Sequence, residues 1–166
     1  NRNLVGEAAF NVGIRRSRGE FIVGKVSDTF YSKSLIEFIS KKNLNKKKVY
    51  RLDRVDVKSD FPIPCDWEKH FKTRILFRKS LTQPGLHAKA CGDFLLMSKQ
   101  IWFGIRGFPE NKAVVHHGSD GEALYAAIGF GAKQVYLKND ICIYKILHDR
   151  MYTSRVSHKK DNESSK

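Results

Sequence analysis

From residue 3 to residue 146, apolar segments of strand length alternate with helical stripes, and this alternation constrains the fold more than any single motif. Residues 3–18 carry Leu4, Val5, Ala8, Phe10, Val12 and Ile14, a pattern compatible with a helix that stops at Gly19. The spacing predicts a strand over 20–26, which delivers a lone carboxylate, Asp28. Ser32 or Ser34 is placed to cap a helix over 33–42, striped by Leu35, Ile36, Phe38 and Ile39. In the next strand, "VYRLDRVDV", Tyr50 and Leu52 alternate with Arg51 and Asp53, but Val55 and Val57 share the charged parity. That conflict predicts a bulge or strand end near Arg54. Residues 58–90, with Pro62, Pro64 and Pro84, read as a long irregular loop holding one short helix around 66–71.

Regularity then returns. Phe94 to Met97 form a strand, Ser98 caps a short helix through Phe103, and residues 104–109 turn. Ser119 or Asp120 caps a helix carrying Ala123, Leu124, Ala127 and Ile128 and closed by Gly129. Two strands, 134–137 and 141–146, complete a domain over 1–152, and the polar segment 153–166 is expected to be a disordered tail. The chain opens on Asn1 inside a helical pattern, so an amino-terminal part is expected to precede it.

Composition narrows the partners. The chain has 166 residues, room for one domain with a real core, and its 41% hydrophobic content argues against disorder. No apolar run reaches membrane-spanning length. A formal charge of +14 implies an anionic partner: nucleic acid, acidic lipid headgroups or a phosphorylated substrate. Solvated basic faces explain the same charge equally well. Cys65, Cys91 and Cys142 form no CxxC, which suggests neither a disulfide framework nor a zinc site and fits a reducing compartment. His116 and His117 are adjacent and would point to opposite faces of a strand, and "GFGAK" lacks the spacing of a phosphate-binding loop.

The segment "FNVGIRRSRGEFIVGKVSD" resembles part of the GT-A glycosyltransferases, especially the family 2-like ones, with Asn11, Gly13, Gly19 and Asp28 in the motif's places. "GDFLLMSKQIWFGIRGFPE" and the helix after it resemble that fold's carboxyl half through Gly107, Phe108, Glu110, Asp120, Leu124 and Gly129 or Gly131. "CIYKILHD" is similar to the closing strand that supplies a metal-binding histidine, here His148. The likeness covers residues 10–150. It implies an α/β fold, a mixed, mostly parallel sheet flanked by helices, with the nucleotide-base-binding strands preceding Asn1. Where the family has Asp-x-Asp this chain has Val26-Ser27-Asp28, and where it has an acidic pair this chain has Ser119-Asp120.

The resemblance implies sugar transfer, with inversion, from a nucleotide-sugar donor to a glycan or lipid-linked acceptor. A divalent cation, Mn²⁺ or Mg²⁺, would stabilise the leaving diphosphate, with Asp28 and His148 as its ligands. Asp120 is the candidate general base, and Glu110 and Glu122 compete for that role. Asn11, Arg15, Arg16 and Arg18 are candidates for ribose or phosphate contacts. Arg51, Asp53 and Arg54 either line the cleft or pair at a sheet edge, and Trp102 and Phe103 are an acceptor platform or core. Two other readings stay open: a basic α/β module gripping nucleic acid, and a catalytically degenerate relative. No specific nucleic acid is expected, because the aromatics do not interleave with Arg and Lys in a recognised pattern. The location implied is the cytoplasm or the cytoplasmic face of a membrane, with peripheral association, or the Golgi lumen in a eukaryote.

Overall fold

The computed structural model describes residues 5–58, 63–80, 85–110 and 119–147. In chain order these hold α1 (Val5–Arg16), β1 (Phe21–Gly24), β2 (Thr29–Tyr31), α2 (Lys33–Ser40), β3 (Lys48–Val57), α3 (Trp67–Lys72), β4 (Ile75–Lys79), β5 (Leu95–Ser98), α4 (Lys99–Gly104), α5 (Ser119–Gly129) and β6 (Lys133–Ile146). The strands make one mixed sheet in the order β1-β5-β3-β6-β2, with β4 also paired to β3. The α/β class read from the sequence therefore holds. The mostly parallel sheet does not: β3 with β6 is the parallel pair, and β1/β5, β2/β6, β3/β4 and β3/β5 are antiparallel. Strand–helix alternation suggests parallel neighbours only when each helix crosses between adjacent strands. Here α2 joins β2 to β3, and α4 and α5 lie between β5 and β6, and neither pair of strands is adjacent.

β3 is the spine. On one flank β5 pairs with Val49 and Tyr50, and β4 takes over from Arg54 to Val57. On the other flank β6 runs the full length of β3. The irregularity expected in β3 near Arg54 belongs to its partner: register jumps from Leu52↔Leu137 to Asp53↔Cys142, so β6 absorbs the extra residues, with Asn139 at φ 64°. Parity misled because both faces of β3 are covered. Every residue from Val49 to Val57 is buried, charged ones included.

Three apolar clusters hold the layers. Ile22, Val49, Leu95 and Met97 pack under α1, α4 and α5 around the fully buried Trp102, whose indole N–H donates to the Ile22 carbonyl at 3.0 Å. Tyr50, Leu52, Phe94, Leu96 and Ile143 pack on the other face against Leu35 of α2. Val55, Val57, Tyr144 and Ile146 pack against Phe71 of α3, with Phe30 and Trp67 joining. The segment 58–90 contains the short helix foreseen and also β4, which was not. Ile75, Leu76 and Phe77 of β4 are all exposed, so an alternation of buried and exposed positions never develops there.

Of the two cap candidates, Ser32 is the one used. Its buried Oγ accepts from Leu35 N at 3.1 Å and also from Cys142 N at 3.2 Å, tying the start of α2 to the middle of β6. Ser32→Ala removes the cap and strands a buried N–H, and it should cost about 2 kcal/mol. A drop of roughly 4–8 °C in thermal midpoint, measured by circular dichroism, is expected for a chain of this size. No drop would mean that the hydroxyl makes neither bond in solution.

Candidate functional site

Asp28 lies in the turn that carries the chain from β1 to β2, with its side chain 25% exposed. The turn is braced locally: Thr29 Oγ1 donates to the Val26 carbonyl at 3.0 Å, and Lys25 Nζ donates to the Thr29 carbonyl at 3.0 Å. Lys145 stands beneath it, its Nζ 3.6 Å from the Asp28 carboxylate. Register puts Lys145 there, because the residue pairs with Thr29 of β2 on one side and Asp56 of β3 on the other. The same ammonium donates to Asp93 Oδ1 at 2.7 Å, and the other Asp93 oxygen accepts from Arg54. Arg54 in turn grips Asp56, two residues along the same face of β3, at 2.6 Å through Nε and 3.0 Å through Nη2. Three carboxylates and two cations thus form one chain of contacts, with Asp28 its most exposed member.

Electrostatics fixes the charge states behind Asp28. Burial alone would raise the Asp93 pKa, but the Lys145 hydrogen bond and the Arg54 charge and hydrogen bond outweigh it and hold the carboxyl below its ordinary value. A cleft of about 620 Å³ runs beside the turn, between Phe10 and Gly13 of α1 and the segment from Val23 to Ser27. That volume is in the range of small-ligand sites.

The other predicted residues scatter. Arg51 and Asp53 do not pair with each other, and by strand alternation they point away from Arg54, Asp56 and the Asp28 cluster. Arg51 donates to the carbonyls of His87 at 3.0 Å and Lys89 at 2.7 Å, so it fastens the segment leading to Asp93. Asp53 accepts from Arg78 at 2.8 Å, from Ser80 at 2.8 Å and from the Tyr136 hydroxyl. Asn11 is a buried clasp: its carboxamide donates to the Phe108 carbonyl at 2.9 Å, accepts from Phe108 N at 2.8 Å and donates to Glu110 at 2.6 Å. Trp102, offered as an acceptor platform, is core, with no exposed surface, whereas Phe103 is half exposed. Arg15, Arg16, Arg18 and Glu122 are exposed, and Arg15 lies 4.0 Å from Glu110. Asp120 belongs to the first turn of α5, but its side chain, and all of His148, lie outside the described residues.

Sequence reasoning missed Asp93, Asp56 and Lys145. The signal was available: Lys145 interrupts the apolar run "ICIYKIL", and a lone cation inside a buried strand needs a buried carboxylate. Among the described residues no group of three or more His, Cys, Asp or Glu is arranged to hold a metal ion. Cys142 is buried, and burial raises its thiol pKa, which makes it a packing residue rather than a nucleophile. No family model matches the chain, and no curated protein matches it either.

Two titrations should be visible in stability. His87 is buried edge-on to Tyr136, with ring centroids 5.1 Å apart, and burial first, then the Arg51 charge, push its pKa down. The unfolded chain therefore takes up this proton near pH 6.5 while the folded chain resists, so stability is full above about 6.5 and declines as pH falls toward the folded value. The depressed Asp93 adds a second loss, which begins only below the ordinary carboxyl range, about pH 4. Urea midpoints from pH 8 to pH 3 should show both declines, and His87→Phe should flatten the first and spare the second. An unchanged upper decline in that variant would remove His87 as its source.

Proposed function

We propose that this chain carries a glycosyltransferase site of the GT-A kind, which moves a sugar from a nucleotide donor to a glycan or lipid-linked acceptor hydroxyl. The observation that carries the reading is the placement of Asp28, a half-buried carboxylate just beyond a strand end, beside a ligand-sized cleft and backed by a fixed ion network. It is supported by the order of the motifs, which keep the spacing of that family from Asn11 to Glu110.

A metal of the kind such chemistry employs would meet carboxylate oxygens here. Within the cluster the most exposed oxygens are those of Asp28, one of them 3.6 Å from the Lys145 ammonium. A hard divalent cation fits that oxygen chemistry, with Asp28 as its ligand here and His148 as the second candidate. When bound, it would supply Lewis-acid stabilisation of the leaving diphosphate. The chain's own residues do the rest. Lys145 and Arg54 fix the Asp93 carboxylate, and through Lys145 the floor beneath Asp28, so that the site is preorganised. Asp120 takes the proton of the attacking hydroxyl as the new bond to the anomeric carbon forms and the bond to the diphosphate breaks, which gives inversion.

The assay is turnover of UDP- and GDP-sugars by the full chain with Mn²⁺ present. Asp28→Ala and Asp120→Ala should each lower kcat/KM by about a hundredfold or more. Unchanged turnover in both variants would remove the assignment. Stimulation by Mn²⁺ that disappears in Asp28→Ala would tie the cation to that carboxylate.

A further inference from the structure

We infer that the edge of the sheet opposite Asp28 is a docking face for an anionic membrane surface. This inference is independent of sugar transfer, since no residue of the Asp28 cluster takes part. The starts of β3 and β6 lie side by side, Lys48 opposite Lys133, and Lys133 N donates to the Lys47 carbonyl at 2.9 Å. Lys46 is fastened to the same edge through its carbonyl, which accepts from Ser98 Oγ at 2.8 Å, and α4 begins there with Lys99. Five lysines therefore converge on one end of the sheet, and Glu20, paired with Lys46 at 2.5 Å, is the acid set among them.

Two aromatic rings accompany these cations. Phe103 and Phe130 are each 51% exposed. The Phe130 ring covers Gly104, where any Cβ would collide with it, so the two rings sit at adjoining positions on the outer side of α4. Lys99 Nζ lies over the Phe103 ring, 5.3 Å from its centroid, and donates to the Ser17 carbonyl at 2.8 Å. Exposed phenylalanines have no polar tip to satisfy in water, and beside long lysine stems they match the headgroup–acyl boundary of a bilayer: rings inward, ammonium groups among the phosphates. Arginines adjoin this face as well: Arg18 follows Ser17, and Arg15 and Arg106 line a pocket with Phe103. The five lysines form a cluster rather than a track along a backbone, which with the two exposed phenylalanines favours a bilayer over nucleic acid. Among the described residues no helix is long and apolar enough to cross a membrane, so the contact would be peripheral.

Co-sedimentation of the full chain with phosphatidylcholine vesicles, with and without roughly 30% phosphatidylserine, is the test. Binding is expected only to the anionic vesicles, and it should weaken as salt is raised from low to physiological strength. Lys47→Glu with Lys133→Glu should reduce the bound fraction about tenfold or more, with the thermal midpoint unchanged because both side chains are exposed. Phe103→Trp should add indole emission beyond that of Trp67 and Trp102, and brominated acyl chains should quench the added part. Equal sedimentation with both vesicle types would overturn the inference, as would an unquenched indole. Preferential binding of a random oligonucleotide, with anionic vesicles left unbound, would overturn it in favour of nucleic acid.

Discussion

The chain of contacts from Asp56 through Arg54, Asp93 and Lys145 to Asp28 is the constraint on which the upper half of the molecule depends. It crosses the fold rather than running along it. Its members come from β3, from the turn before β5, from β6 and from the β1–β2 turn. Removing one partner from such a buried array leaves an uncompensated charge, which costs about 3–5 kcal/mol, whereas the intact array contributes little net stability. Its role is positional. It ties four segments distant in sequence together, and it holds Asp28 one residue beyond Ser27, which lines the cleft.

The spine explains why the array can exist. β3 is buried from Val49 to Val57, yet it carries Arg51, Asp53, Arg54 and Asp56 in that run. Charged residues tolerate such burial only when neighbouring elements bring the opposite charge or backbone carbonyls to them. On one face Arg51 reaches the carbonyls of His87 and Lys89 while Asp53 gathers Arg78, Ser80 and Tyr136. On the other, Arg54 and Asp56 join the Asp28 array. The gap left on the flank of β3 between β5 and β4 is filled by the segment from Leu86 to Asp93, which Arg51 holds from one face and Arg54 from the other. One strand thus serves both as a structural beam and as the mount of the candidate site.

Much of this was legible in the sequence. Caps and stops announced themselves, because Ser32 and Ser98 act through local hydrogen bonds that need only their own helix. The α/β class followed from periodicity. What stayed hidden was long-range. Strand direction depends on which strands the helices fail to join, and β4 is an exposed flank with no buried face to leave a pattern. The placement of Asp28 was legible, as a carboxylate after an apolar strand. Its supporting residues were not, since the pairing of Asp93 with Lys145 spans 52 residues and of Arg54 with Asp93 spans 39. Asn11 shows the limit of a motif: a resemblance marks its position, while its contacts give it a mechanical reason, a two-point grip on the Phe108 backbone.

The two ends of the sheet carry opposite characters, and their separation has a consequence for any substrate. From Lys48 to Asp56 the spine advances eight residues, about 26 Å at strand rise. If the lysine edge lies against a bilayer, Asp28 stands roughly that far above the headgroups and faces water. A lipid-linked acceptor would then need a glycan or polar spacer long enough to climb that distance, whereas a soluble glycan would meet no such requirement. The charge distribution acts in the same sense. On the docking proposed above, the lysines would face the anionic surface, while the array around Asp28 would stand several Debye lengths of about 8 Å away, beyond the reach of its field. Under the proposed sugar transfer, an anionic donor would gain from this separation, because the membrane's field decays over a few Debye lengths, well before the cleft.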